Sequence, residues 1–298
     1  MKNSFKAIEV FSIALLFLLL NFNLSAQNNF NQKCARIVSL SPSVSESLHS
    51  LNLYQNVVGI SKFDTYPEQK KDKTVIGGFL DPNIEVILQL NPTLIVGLKE
   101  HTDLINKLNK FNIKSILVDH RNIDSFLDGL KEISNFCGVE VIGQELINSI
   151  LKELDKCSVN NPFDNKKAVI VVSRDYSSDK LKELYLSGDD GFYSSLFKYC
   201  NIKNAYTAKF GSINSVSVEA IYHLKPDIIF EILPPDYINI YGYNKLIKPW
   251  ISESLIDDAT KSNIYLLDQD WATIPGPRLI NFIEFFKNPP KSPHGTIN

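Results

Sequence analysis

Charge of either sign is not in excess in this sequence: 31 Lys and Arg stand against 33 Asp and Glu, for a formal net charge of −2. A nucleic-acid partner requires a basic face, so that class is excluded. Long apolar runs are also missing. The most extended, Val10 to Leu20 broken only by Ser12, is well short of the roughly 20 residues a membrane span needs. Catalytic and nucleotide signatures are absent as well: there is no Gly-x-Gly-x-x-Gly, no Gly-x-x-x-x-Gly-Lys-[Ser/Thr], no His-Glu-x-x-His and no Gly-x-Ser-x-Gly. Asp189-Asp190, flanked by Gly188 and Gly191, reads as a turn. Nothing positive therefore supports an enzyme. His101, His120 and His223 have no histidine four residues away and no nearby cysteine, so no metal site built from protein side chains is expected. None of the four cysteines (Cys34, Cys137, Cys157, Cys200) falls in a Cys-x-x-Cys pair, which removes the usual zinc and thioredoxin-like signatures. Buried free thiols or a single bridge are the simplest reading, and three full pairings are open to them.

What is present begins with a leader. Lys2 and Lys6 precede the apolar run, and Leu24-Ser25-Ala26 offers a small residue for cleavage, so residues 1–26 are expected to be a signal peptide; the rival is an uncleaved membrane anchor. No cysteine directly follows that point. Export to the periplasm is the expectation, and four cysteines are compatible with an oxidising compartment. With 44% apolar and 21% charged residues, the remainder is globular rather than disordered.

Short β-rich runs alternate with helical patterns on both sides of the middle. The first set is 36–40, 57–60, 94–96 and 115–118; the second is 168–172, 184–186, 227–230 and 264–267. Continuous apolar runs suit parallel strands covered on both faces, so each half reads as a βαβ-type lobe. Between them, Ile142, Leu146, Ile150 and Leu154, with Ile147 and Leu151 alongside, form one apolar stripe on a helix of about five turns. The expected organisation is an α/β fold of two Rossmann-like lobes, 34–138 and 164–287, joined by a single long backbone helix within 139–160. Residues 288–298 are expected to be a flexible tail. One stiff connector predicts small lobe movements.

One segment occurs twice. Glu85, Ile87, Leu90, Pro92 and Ile95 recur at a constant offset as Glu219, Ile221, Leu224, Pro226 and Ile229. Each copy reads as a short helix, a proline-marked turn and a buried strand. Asp81-Pro82 is expected to cap the first helix, with Ser215 in the matching position of the second. Glu85 and Glu219 fall near the first helical turn, where the helix dipole alone favours a carboxylate by about 0.3–1 kcal/mol. Two matched acidic knobs on two rigid lobes also suit a symmetric, basic partner.

The order Arg36-Ile-Val-Ser-Leu-Ser-Pro-Ser-Val-Ser-Glu46, Val58-Gly59-Ile60, Tyr66-Pro67, Gly77-Gly78 and Pro82-Asn83-Ile84-Glu85 resembles the cobalamin and iron-chelate substrate-binding proteins of ABC importers, over nearly all of residues 34–287. Leu186-Ser187-Gly188, Asp270-Trp271 and Gly276-Pro277-Arg278 bring the likeness nearest to the cobalamin binders. The resemblance implies a monomer with no resident cofactor and a metal-chelate ligand, a cobalt corrinoid or an iron chelate, held between the lobes. It implies Glu85 and Glu219 as docking residues for a dimeric inner-membrane permease. It implies Phe63, Tyr66, Phe79, Tyr185, Asp270, Trp271 and Arg278 as ligand contacts, with Arg278 on the ligand rim. Were the chelate haem, the candidates for an axial ligand would be Tyr66, His101, His120 and His223. Read without the family, Phe63, Phe79 and Tyr185 are better taken as core aromatics. Two departures are Leu98, where a tryptophan can occur, and Ile213, aliphatic where the first copy has Phe79. An anionic siderophore would call for gathered cations, and Lys62, Lys99, Arg174 and Arg278 are the candidates.

Overall fold

The computed structural model describes residues 32–208, 213–254, 256–261 and 263–290. The leader and residues 291–298 of the tail lie outside the described residues. Strands β1 (Ile37–Ser39), β2 (Val57–Ile60), β3 (Thr74–Val75), β4 (Leu94–Leu98) and β5 (Lys114–Val118) form one sheet in the order β3-β2-β1-β4-β5, parallel throughout. Helices cover both faces, which is why β1 is buried at every position and β4 at all but its last.

The second sheet departs from the all-parallel expectation. Strands β6 (Lys167–Arg174), β10 (Ile228–Ile232) and β11 (Ile264–Leu267) are parallel, as is the short β8 (Lys203–Asn204) against β6. Only β7 (Glu183–Ser187) is reversed, pairing antiparallel with both β6 and β9 (Ile213–Ser217), in the order β11-β10-β6-β7-β9. The reason lies in the residues. Glu183-Leu184-Tyr185-Leu186 alternates, with the leucines buried and Glu183 and Tyr185 outward, and β9 alternates in the same way. Such strands can leave one face open.

The repeated segment occupies matched places in the two sheets: β4 lies beside β1 as β10 lies beside β6. The correspondence reaches single atoms. Asn91 and Lys225, at the same repeat position, both adopt left-handed backbone. Thr93 Oγ1 accepts from Arg36 N at 3.1 Å, and its counterpart Asp227 Oδ2 accepts from Lys167 N at 2.8 Å. The caps fall two residues later than expected. Asn83, not Asp81, caps the helix Ile84–Gln89, its side chain accepting from Val86 N, and Ser217, not Ser215, precedes the helix Val218–Leu224. Asp81 and Pro82 instead belong to a turn bridged from Gly77 to Pro82, and Ser215 sits in β9 hydrogen-bonded to Glu183.

The helix Ile123–Cys137 ends at Gly138, whose φ of 71° is the left-handed cap that lets the chain reverse into the helix Glu140–Asp155. That connector has 16 residues, between four and five turns, and buries Ile147, Ile150 and Leu154. One continuous apolar cluster runs from Ile37 and Val96 in the first lobe through Phe126 and Ile150 to Phe230 and Phe286 in the second. Two disulfides join it: Cys34–Cys137, with Cα atoms 5.6 Å apart, and Cys157–Cys200, at 4.6 Å. This corrects the expectation of free thiols or one bridge. Each pair is brought together by helix packing across long sequence separations, so local spacing carried no sign of it. Among the described residues no helix is long and apolar enough to cross a membrane.

Candidate functional site

Strand ends and helix starts leave a cleft between the lobes, and two adjoining cavities occupy it. The inner one, ≈ 290 Å³, is walled from the first lobe by Phe79, Leu98 and His120 and from the second by Ser187, Phe192, Tyr193, Ile213 and Pro275. The outer one, ≈ 430 Å³, adds Val172, Ser173, Tyr185, Ile232 and Thr273, and shares Tyr193, Ile213 and Pro275 with the first. The walls are mainly apolar, with Glu100 and Arg121 at one margin. Such walls bury a flat, largely apolar ligand without leaving charges unpaired.

Phe79 is held by its turn. Gly77 has φ of +112°, and a Cβ there would meet the Asp81 carbonyl at 2.8 Å, so only glycine permits the reversal. The Phe79 ring then packs edge-on against His101 at 4.7 Å. His101 Nδ1 accepts from Leu98 N at 3.0 Å and Nε2 donates to the Phe79 carbonyl at 2.9 Å. Both nitrogens are engaged and burial keeps the ring neutral, so His101 supports the wall and does not offer a ligand atom. Across the cavity stands Ile213, the residue at the same repeat position as Phe79. The two copies thus face each other over the site.

The other expected contacts divide. Tyr185 is 37% exposed and lines the outer cavity; Phe63 is 54% exposed, with the Lys62 ammonium 4.9 Å from its ring centre. None of Phe63, Phe79 and Tyr185 is a core residue. Trp271 packs edge-on against Phe282 at 4.9 Å, on the flank of the main core. Arg278 is held by partners within the chain. Its Nε and Nη2 donate to Glu46 at 3.0 and 2.5 Å, Nη1 donates to Asp270 at 2.8 Å, and its guanidinium lies 4.5 Å from the Tyr66 ring centre. Thr65 Oγ1 also donates to Asp270 Oδ2 at 3.3 Å. Tyr66, Asp270 and Arg278 are therefore brought together, but as a clasp between lobes. Burial raises the Glu46 pKa and Arg278 pulls it back. Beside it Asp64, 4% exposed, has its pKa pushed up to about 7, chiefly by burial and further by the Glu46 charge, with nearby Ser45 and Lys70 opposing.

The four candidate cations do not gather. Arg174 is buried against Glu231 at 2.6 Å, Arg278 is held as above, Lys99 pairs with Asp119 at 3.1 Å, and Lys62 covers Phe63. Among the described residues no group of three or more His, Cys, Asp or Glu side chains is placed to hold a metal ion.

Sequence reasoning missed His120, Phe192, Tyr193 and Pro275 as wall residues. His120 is 7% exposed, and burial lowers its pKa to about 4. Tyr193 donates to the Ala272 carbonyl at 2.7 Å, which fixes its ring at the junction of the two cavities. Only Ile213 carried a signal, through the repeat register. Glu85 and Glu219 are exposed and stand at the second position of their helices, Glu219 held charged by Ser217.

Comparison with known proteins adds two relatives and one structural neighbour. An uncharacterised ABC-transporter substrate-binding lipoprotein of Bacillus subtilis is 28% identical over 258 residues, covering 84% of this chain and 77% of that one. A vitamin B12-binding protein of Vibrio vulnificus is 23% identical over 278 residues, covering 90% and 93%. The solved periplasmic haem-binding protein of Vibrio cholerae superposes with a TM-score of 0.70 at 17% identity, over 86% of this chain and 100% of that one. These are binding proteins, not enzymes. The family model described as periplasmic binding protein matches residues 37–231, more than half of the chain, and with the two-lobed architecture and the cleft it establishes that this chain belongs to the periplasmic binding protein family.

Proposed function

We propose that this chain captures cobalamin or another corrinoid in the interlobe cleft and delivers it to an ABC permease. The observation that carries the reading is the cleft's chemistry: apolar walls contributed by both lobes, with Arg174, Arg278, Lys99 and Arg121 already committed to Glu231, Glu46, Asp270 and Asp119. A corrin has a broad apolar face and a periphery of neutral amides, which such walls suit. An anionic ferric siderophore suits them poorly, since committed cations would have to break their pairs. The vitamin B12-binding relative supports the same choice. Haem capture is the second reading, favoured by the fold of the haem-binding neighbour and by the neutral, cavity-lining His120.

Exposed Glu85 and Glu219, set on matched helices of two lobes tied by a shared core, suit contact with one basic site on each subunit of a permease dimer. The leader-like N-terminal sequence and the family support an exported, periplasmic location. Titration calorimetry against cyanocobalamin, haem and ferric siderophores tests the ligand. Heat with cyanocobalamin is expected; silence there, with tight binding of a ferric chelate, overturns the corrinoid reading.

A further inference from the structure

Beyond the outer cavity, the second lobe carries a set of tyrosines that its folding does not require. The helix Tyr237–Tyr241, which follows β10, contains no buried residue. Ile240 is 65% exposed and Tyr241 43%. The segment is nevertheless held in place. Asp236 takes left-handed backbone, its N–H donates to the Asp268 carbonyl at 3.2 Å, and Ile238 N donates to Asp268 Oδ2 at 3.1 Å. The Tyr237 ring lies 5.3 Å from Tyr176 and 4.9 Å from Tyr241. Tyr176 is anchored below by the Arg174 guanidinium at 4.7 Å, which is itself buried against Glu231. A row of rings is thereby fixed in advance at a surface where burial does not demand it.

The row is continuous with the cleft. The Tyr176 hydroxyl donates to the carbonyl of Ile232, a wall residue of the outer cavity, at 3.4 Å, and β6 reaches Tyr176 directly after supplying Val172 and Ser173 to that wall. We propose that Tyr176, Tyr237 and Tyr241 form a subsite for an uncharged aromatic or heteroaromatic group pendant from the chelate bound in the cleft. Fixed rings gain edge and face contacts with such a group at little cost in ordering. The proposal rests on the corrinoid reading, and Lys245, 5.2 Å from the Tyr241 ring centre, is the cation that caps the outer end.

The test compares cyanocobalamin, which carries a pendant benzimidazole nucleotide, with dicyanocobinamide, which lacks it, by calorimetry on the full chain. The unaltered protein is expected to bind the first at least tenfold more tightly. Tyr237→Ala with Tyr241→Ala is expected to erase that preference by weakening cyanocobalamin about tenfold while leaving dicyanocobinamide within twofold. Tyr241→Leu, which keeps apolar bulk, is expected to lose part of it. Because the helix buries nothing, thermal melting of these variants should match the parent. Equal affinity of the parent for both probes, or a loss shared by both in the variants, overturns the subsite and leaves the corrinoid reading intact. If neither probe binds the parent, the corrinoid reading falls and the subsite with it.

Discussion

Replacing Arg278 by Met separates two roles that the same residue could play. In the structure its guanidinium makes three hydrogen bonds to two carboxylates and covers Tyr66. The Glu46 side chain is 1% exposed and that of Arg278 17%, so the pair is desolvated, and Glu46 belongs to the first lobe whereas Arg278 belongs to the C-terminal segment. Removing the cation strands a buried carboxylate with a second one, Asp64, beside it. Breaking one partner of a buried pair costs about 3–5 kcal/mol, most of it from the unpaired charge left behind. Urea unfolding followed by circular dichroism should show Arg278→Met destabilised by that amount. Glu46→Gln in the same chain should recover a large part, because the stranded charge is gone. Ligand affinity in the folded variant should change less than tenfold, since Arg278 does not reach the cavity walls. A stability loss under about 1 kcal/mol together with a collapse of ligand affinity would refute the clasp and restore Arg278 to the ligand rim.

Asp64 provides a pH test. Its folded-state pKa of about 7 lies above the ordinary 3.8, so the folded protein holds a proton that the unfolded chain releases. The stability it contributes is complete below about pH 4 and is lost as pH rises to about 7, a span equivalent to at most about 4 kcal/mol. Asp64→Asn should therefore be more stable than the parent at pH 8 and nearly equal to it at pH 4; equal urea midpoints at both values would dispose of the assignment. Removing the Cys34–Cys137 bridge, which spans 103 residues, should cost about 4–5 kcal/mol by loop entropy, and removing Cys157–Cys200, spanning 43, about 4 kcal/mol. Serine pairs at each bridge, measured by thermal melting, check both. Reversing Glu85 and Glu219 together to Arg should abolish ligand uptake by cells while leaving ligand affinity within twofold, because both side chains are exposed and distant in role from the cavity walls; lost affinity would place them in the site.

Much of the fold was legible because hydrophobic burial writes itself locally. The runs 94–96 and 227–230 mark β4 and β10, and the stripe Ile142 to Leu154 marks the connector. What escaped depends on partners far along the chain. The strand β9, Ile-Asn-Ser-Val-Ser, has no apolar run and is specified by β7, against which it alternates. The family resemblance implied Arg278 as a ligand contact, but Glu46, its main partner, lies 232 residues away in sequence and is supplied by the opposite lobe. Tyr193 and His120 carry no motif, and only packing brings them to the cavity.

The repeat reached further than its glutamates suggested. Its register marks two similar lobes and a pair of acidic knobs. Six residues before each glutamate, the same register places Phe79 and Ile213 on opposite walls of one cavity. The two exposed glutamates and the two cavity-wall residues are therefore carried on the same two short segments, each continuous with a buried central strand. The cluster linking Val96 to Phe230 through the connector and the clasp at Arg278 both oppose wide opening of the lobes. A partner that moved either glutamate would pull on a segment that also holds a cavity wall.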